Sequence, residues 1–207
     1  MVSLELAIMI AAAIVSVSML VLTLYLFYRR KNPKRGAVKD GKSGEGRAVS
    51  QMRSFARVNS FRLLAPARLE NKGKTADLDA VVAGHFGVLG VKELPFNGEV
   101  YGAANEKEWV RVDANGERTV FANPFTEAAA DARVLRSLFT DAKLKQVPIE
   151  VVCVFTGQTV QLALPRSTGH HTLQSFKSLL KKEKYMEDNN VSPDNVYTAL
   201  QSALRGE

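Results

Sequence analysis

The sequence predicts an α/β domain with a mixed central sheet flanked by helices, preceded by one transmembrane helix. Two observations predict this arrangement. Residues 6–28 form an apolar run without a single charged side chain, whereas the later sequence alternates short β-rich runs with amphipathic segments. The 207 residues therefore divide into an anchor, a linker and about one domain's worth of sequence.

The apolar run of residues 6–28 is long enough to cross a bilayer, which takes about 20 residues at a rise of about 1.5 Å each. No basic residue precedes the run, and Arg29, Arg30 and Lys31 follow it directly. A cleaved signal peptide would show the opposite order of charge and a small-residue cleavage site. The positive-inside rule then predicts a single-pass protein of the cell membrane, with its N-terminus outside and its C-terminal domain in the cytoplasm.

The formal net charge of +7 arises mainly in residues 29–47, which contain eight Lys or Arg and two acidic residues. Within this stretch, residues 29–43 are predicted to form a flexible basic juxtamembrane linker. Contact of residues 29–47 with anionic lipid is the expected role, at about 1 kcal/mol per basic residue near the surface. Residues 48–207 carry a net charge of only +2, so overall composition gives weak support for a basic nucleic-acid groove.

The first half of the domain predicts one helix followed by a β meander. Val49, Met52, Phe55 and Val58 recur at helical spacing, which predicts an amphipathic helix over residues 48–58. Short β-rich runs bounded by turn residues then predict strands, at residues 61–69, 78–83, 87–91 and 99–101. The strongest hairpin signal is Asn115-Gly116 between residues 109–112 and 118–121, because Asn-Gly suits a type I′ turn.

The second half predicts helices around a central strand. Pro124 is placed at the first turn of a helix that continues to Phe139. The apolar run Ile149–Phe155 predicts a central strand, in which the single cysteine, Cys153, is a buried thiol. Further elements are predicted in the remaining sequence: a strand at 160–164, a helix at 173–182, and a helix opened by Ser192-Pro193 and ending at Leu204.

Several segments, in this order and at these spacings, carry a resemblance to a known family. They are Leu78-Asp79-Ala-Val-Val, Gly87-Val-Leu-Gly-Val, Gly98-Glu-Val-Tyr-Gly102, Trp109, Phe121-Ala-Asn123-Pro124-Phe, Val151-Val-Cys-Val-Phe155 and Ser192-Pro-Asp. With Gly44-Glu45 ahead of the first helix, residues 44–204 resemble the nuclease-related domain (NERD) family. The resemblance implies a restriction-endonuclease-like core for the predicted mixed sheet.

The resemblance also implies an active site, in which a Glu on the first helix, an Asp on one strand and a Glu-x-Lys on the next gather around a metal ion. Such carboxylates would hold Mg²⁺, which polarises a phosphate and activates water. Glu45 and Asp79 match the first two positions, but the Glu-x-Lys positions are occupied by Lys92 and Leu94. Strand alternation places Glu93 on the opposite face.

The replacement predicts a degenerate site. The candidate catalytic residues are Glu45, Asp79, Lys92 and Glu93, of which Glu45 and Asp79 would bind a metal ion only in an active enzyme. No cofactor is predicted apart from Mg²⁺ in that case. The adjacent strands lead us to expect an internal ion pair between Lys92 and Asp79 in place of the metal ion. Glu127 is a further departure from the family pattern, because relatives tend to carry glutamine at this position, near the start of the helix after Asn123-Pro124.

Three functions remain open from the sequence. The first is a module that has lost hydrolysis and binds nucleic acid or a protein partner near the membrane, and the replacement at Lys92 favours it. The second is an active metal-dependent nuclease that uses Glu45, Asp79 and a shifted Glu93. The third is a membrane-tethered structural domain without nucleic-acid contact, which the near-neutral charge of residues 48–207 favours.

Overall fold

The computed structural model describes Met19 and residues 46–144 and 146–205. The predicted anchor, apart from Met19, the predicted linker and Glu45 lie outside the described residues. No helix among the described residues is long and apolar enough to cross a membrane. The chain separates after Lys42 into two units, and the α/β domain belongs to the second, Ser43–Glu207.

The described part of the domain contains the helices and strands that the sequence predicts, together with two strands that were not predicted, at Lys74–Leu78 and His171–Thr172. The elements are α1 (Arg47–Val58), β1 (Arg62–Leu64), β2 (Ala67–Asn71), β3 (Lys74–Leu78), β4 (Ala80–Gly84), β5 (Gly87–Leu94), β6 (Gly98–Tyr101), β7 (Glu108–Val112), β8 (Arg118–Ala122), α2 (Pro124–Asp141), β9 (Ile149–Phe155), β10 (Val160–Ala163), β11 (His171–Thr172), α3 (Leu173–Leu179) and α4 (Pro193–Ser202). Short 3₁₀ helices occur at Arg166–Thr168 and Glu183–Tyr185.

The largest sheet has five strands in the order β1-β4-β5-β9-β11. Strand β4 is antiparallel to both β1 and β5, whereas β9 is parallel to both β5 and β11. The prediction of a mixed central sheet is therefore confirmed. Strand β9 lies between two other strands and has helices on both faces of the sheet, so Val152–Phe155 are buried, whereas Glu150 near its start is half-buried.

Side chains alternate between two helical layers along the central strands. On one face, Val82, Leu89 and Val91 belong to the same buried cluster as residues of α1 and α3. On the other face, Val81 and Val88 are buried with residues of α2 and α4. Each large apolar side chain that is fully buried in this way contributes about 1.5–3 kcal/mol. The two layers fix which elements can reach each side of the sheet.

A second sheet has the order β10-β6-β7-β8, and it carries the predicted hairpin. The predicted hairpin is confirmed, but the prediction of a type I′ turn is wrong. Such a turn needs a positive φ at both central residues, and only Gly116 (φ +83°) has one, whereas Asn115 does not. The carboxylate of Asp113 accepts hydrogen bonds from the backbone N–H groups of Asn115 and Glu117, at 2.8 and 2.9 Å. These bonds stabilise a longer loop in which only the glycine is left-handed.

Candidate functional site

The residues that the resemblance singled out meet at one end of the central sheet. Asp79 directly precedes β4, and Lys92, Glu93 and Leu94 are the last residues of β5. The two strands are antiparallel with Ala80 opposite Val91, and the backbone N–H of Asp79 donates a hydrogen bond to the carbonyl oxygen of Val91 at 2.9 Å. The structure thus brings three of the four candidate residues together.

Lys92 extends towards α2 and not towards Asp79. Its Nζ donates a hydrogen bond to Asp131 Oδ2 at 2.8 Å and another to the carbonyl oxygen of Asp77 at 3.1 Å. Glu127 Oε2 lies 3.7 Å from the same nitrogen. The expected ion pair with Asp79 is therefore wrong, because helix α2 covers this face of the sheet and supplies a closer carboxylate.

The Lys92–Asp131 pair is largely withdrawn from water, with side-chain exposures of 15% and 9%. Burial lowers the pKa of Lys92, but the hydrogen bond to Asp131 and the negative charges of Asp131 and Glu127 raise it more. The pKa of Lys92 therefore lies above its usual value. The ammonium group is charged at neutral pH and is held in place by its partners.

Asp79 and Glu93 are joined through the backbone. Asp79 Oδ2 accepts a hydrogen bond from the backbone N–H of Glu93 at 2.6 Å. The Glu93 side chain points to the other layer, where Oε1 accepts a hydrogen bond from the backbone N–H of Ala48 at 3.0 Å. Lys92 and Glu93 thus contact helices on opposite faces of the sheet, in agreement with the alternation argument.

The Glu93 carboxylate caps the start of α1. Gly46, the residue at the N-cap of this helix, has no side chain that could accept a hydrogen bond. A carboxylate at this end satisfies a free N–H and interacts favourably with the helix dipole. A Cβ atom at position 46 would lie only 1.7 Å from Glu93 Oε2, so a larger residue there would force the Glu93 carboxylate to move away from this position.

Cys153 lies beside Lys92 in the register of β5 and β9 and is fully buried. Its Sγ donates a hydrogen bond to the carbonyl oxygen of Pro124 at 3.5 Å. Burial raises the pKa of the Cys153 thiol to about 12, although the nearby charge of Lys92 acts in the opposite direction. The prediction of a buried strand thiol is confirmed, and a neutral thiol is a poor nucleophile.

Sequence reasoning missed Asp131, the main partner of Lys92. A signal was present in helix α2, where Ala128, Leu135 and Leu138 form a buried stripe at helical spacing and Asp131 falls on the same stripe. A carboxylate on an apolar helix face requires a buried partner, because burying an isolated charge is very unfavourable. The only basic residue of strand β5 is Lys92, which could have been suggested as that partner.

The described residues of this site do not fit a Mg²⁺ ion. The position that the resemblance assigns to a glutamate ligand holds an ammonium group bonded to Asp131. The nearby Glu93 carboxylate is directed to the start of α1. Among the residues that the structure describes, no group of three or more His, Cys, Asp or Glu side chains is arranged to hold a metal ion. Glu45 is not among them.

In a comparison with protein families, the family model described as nuclease-related domain matches residues 40–156 of this chain. The matched segment is more than half of the chain and contains Asp79, Lys92, Glu93 and Asp131. Comparisons with curated proteins and with solved structures gave no match.

Proposed function

Because the chain belongs to the nuclease-related domain family, we propose that it is a nuclease-related module that binds nucleic acid without hydrolysing it. The proposal includes anchoring in the cell membrane through residues 6–28, with the domain on the cytoplasmic side. The observation that carries it is the Lys92–Asp131 pair, which puts a fixed cation at the position of a metal ligand. A protein partner in place of nucleic acid remains the other form of this proposal.

The chemistry of phosphodiester hydrolysis supports this reading of the site. A metal-dependent nuclease needs carboxylates that hold Mg²⁺ next to the scissile phosphate. An ammonium group at a ligand position repels a divalent cation, and this repulsion is strong where water is largely excluded. In this proposal Asp79 and Glu93 have structural roles only. Asp79 accepts a hydrogen bond from the backbone of β5, and Glu93 caps α1.

We expect the purified full chain, in neutral detergent, to show no Mg²⁺- or Mn²⁺-dependent cleavage of single- or double-stranded DNA above a protein-free control. The measurement is product formation on labelled oligonucleotides over a titration of each metal ion. Cleavage that disappears in Asp79→Ala but persists in Asp188→Ala, an exposed aspartate elsewhere, would contradict the proposal. It would favour the active nuclease, in which Asp79 is required for cleavage.

We expect the C-terminus to lie in the cytoplasm, because the basic residues follow the predicted span and none precedes it. A reporter fused after Glu207 that is active only outside the cytoplasm should stay inactive, and a cytoplasmic reporter at the same position should be active. As a control, neutral residues in place of Arg29, Arg30 and Lys31, with two lysines added before the span, should reverse both readouts. Activity of the outside reporter in the unaltered chain would refute the orientation.

A further inference from the structure

Basic side chains are concentrated on one helical layer of the domain. We define the basic face as the Lys and Arg residues of α1 and of residues 173–182, which comprise α3 and the turn after it; these segments contain no Asp or Glu. The members are Arg47, Arg53, Arg57, Lys177, Lys181 and Lys182, and all are exposed. The rest of the described domain contains 14 basic and 17 acidic residues, so the near-neutral total conceals a strong segregation of charge.

A groove runs between the two helices of the basic face. Its cavity has a volume of about 600 Å³, and its lining residues are Arg47, Ser50, Gln51, Leu173, Gln174 and Lys177. The Arg47 guanidinium donates a hydrogen bond to the carbonyl oxygen of Thr156 at 3.0 Å, which holds it at the start of α1. The Gln51 amide nitrogen donates a hydrogen bond to the carbonyl oxygen of Leu173 at 3.4 Å, across the groove. The lining thus combines two cations with the Ser50 hydroxyl and the Gln174 amide, which are hydrogen-bond donors suited to phosphate oxygens.

Most cations of the basic face lack a described acidic partner. Among the described residues, the ion pairs engage other lysines and arginines, such as Arg62 with Asp194 and Lys72 with Asp141. None of these ion pairs includes Arg57, Lys177, Lys181 or Lys182. Their charge is therefore available to an external anion.

The hydrophobic sides of these helices distinguish nucleic acid from a lipid surface as the partner. A helix that binds in a membrane interface turns its apolar side outward. Here the apolar residues of α1 and α3, including Met52, Phe55 and Phe176, are buried against the central sheet. Val58, at the end of α1, is exposed, but one valine adds little apolar area. The outward surface offers charge and hydrogen-bond donors with little to insert into lipid.

We propose that the basic face binds the phosphate backbone of nucleic acid along the groove between α1 and α3, without reading the base sequence. This inference rests on the proposed function and assigns a surface to it. The groove lies on the α1 side of the sheet, whereas Lys92 contacts α2 on the other side. Binding at the groove therefore does not involve Lys92, and Glu93 affects the groove only as the cap of α1.

The test uses the full chain in phosphatidylcholine nanodiscs with labelled 20-nucleotide single-stranded DNA, RNA and duplex DNA, measured by fluorescence anisotropy over a range of salt. If all six cations contact phosphates, the logarithm of the binding constant for single strands should fall with a slope of about −4 against the logarithm of salt. The triple variant Arg57→Glu, Lys177→Glu and Lys181→Glu should weaken binding at least tenfold and reduce this slope to about −2.

A matched control carries the same change of charge at exposed lysines outside the basic face, as Lys74→Glu, Lys107→Glu and Lys143→Glu. Its binding constant for nucleic acid should lie within about twofold of that of the parent. The predicted basic linker is identical in all three proteins, so it contributes equally to binding in each. Equal weakening in both triple variants would overturn the basic-face proposal and leave the proposed function standing. No nucleic-acid binding by the parent would overturn both.

Phosphatidylserine vesicles provide the second ligand. Vesicle binding that is lost only in the basic-face variant, while its nucleic-acid binding equals that of the control, would overturn the proposal and assign the face to an anionic membrane.

Discussion

Replacing Lys92 with methionine is expected to lower the free energy of unfolding by about 2 to 4 kcal/mol. The change removes one partner of a pair whose side chains are 15% and 9% exposed, and it leaves the Asp131 carboxylate without its cation. Breaking a buried pair in this way costs about 3–5 kcal/mol, and some access of water reduces the figure. The measurement is urea unfolding followed by the fluorescence of Trp109, the single and fully buried tryptophan.

Two further variants make this test specific. The double variant Lys92→Met with Asp131→Leu removes both charges and should recover most of the loss, because an apolar pair of similar size satisfies the same space. Lys72→Met removes the partner of Asp141 in an exposed pair, with side-chain exposures of 71% and 36%, and should cost less than about 1 kcal/mol. If Lys92→Met costs no more than Lys72→Met, the pair has no special structural role.

The second large effect is expected when the metal-binding residue types are restored. The double change Lys92→Glu with Leu94→Lys follows from the resemblance alone, but it would set a new carboxylate against Asp131 and Glu127. The like charges should destabilise the domain strongly. Adding Glu127→Gln and Asp131→Asn removes them, so the fourfold variant should be more stable than the double variant in the absence of metal.

We expect the fourfold variant, unlike the parent, to gain stability from Mg²⁺. A ligand that binds only the folded state at about 100 times its dissociation constant adds about 2.7 kcal/mol. The measurement is the same urea unfolding with and without Mg²⁺, and Asp79→Ala in the fourfold background should abolish the gain. A fourfold variant that is indifferent to Mg²⁺ would undermine the assignment of Lys92 and Leu94 to the Glu-x-Lys positions.

Patterns of hydrophobicity predicted much of the fold because burial itself follows them. The run Ile149–Phe155 predicted a central strand, and it lies between two others in the sheet. Ser192-Pro193 predicted a helix start, and Ser192 Oγ accepts a hydrogen bond from the backbone N–H of Asn195 at 3.3 Å. These signals are local, so no knowledge of the rest of the chain is needed to read them.

Features that depend on distant contacts were predicted less well. The segment 61–69 is divided between β1, which pairs with β4, and β2, which pairs with β3. Strand β3 was not predicted, because its exposed and charged residues make it a poor strand signal on their own. The partner of Lys92, Asp131, lies 39 residues later in the sequence, on helix α2. Alternation along β5 predicts on which face of the sheet the Lys92 side chain lies, but it does not predict which helix packs on that face.

The Glu93 carboxylate caps the start of α1, and the same carboxylate would be needed as a ligand if a metal ion bound at this site. A metal ion that recruited Glu93 would compete with the Ala48 N–H for the same group, since Oε1 already accepts that hydrogen bond. By linkage, losing the hydrogen bond from the Ala48 N–H would reduce the free energy of ion binding by the free energy of that bond. A bound ion would in turn destabilise the first turn of α1. Integrity of the helix and capture of the cation are therefore antagonistic in this chain.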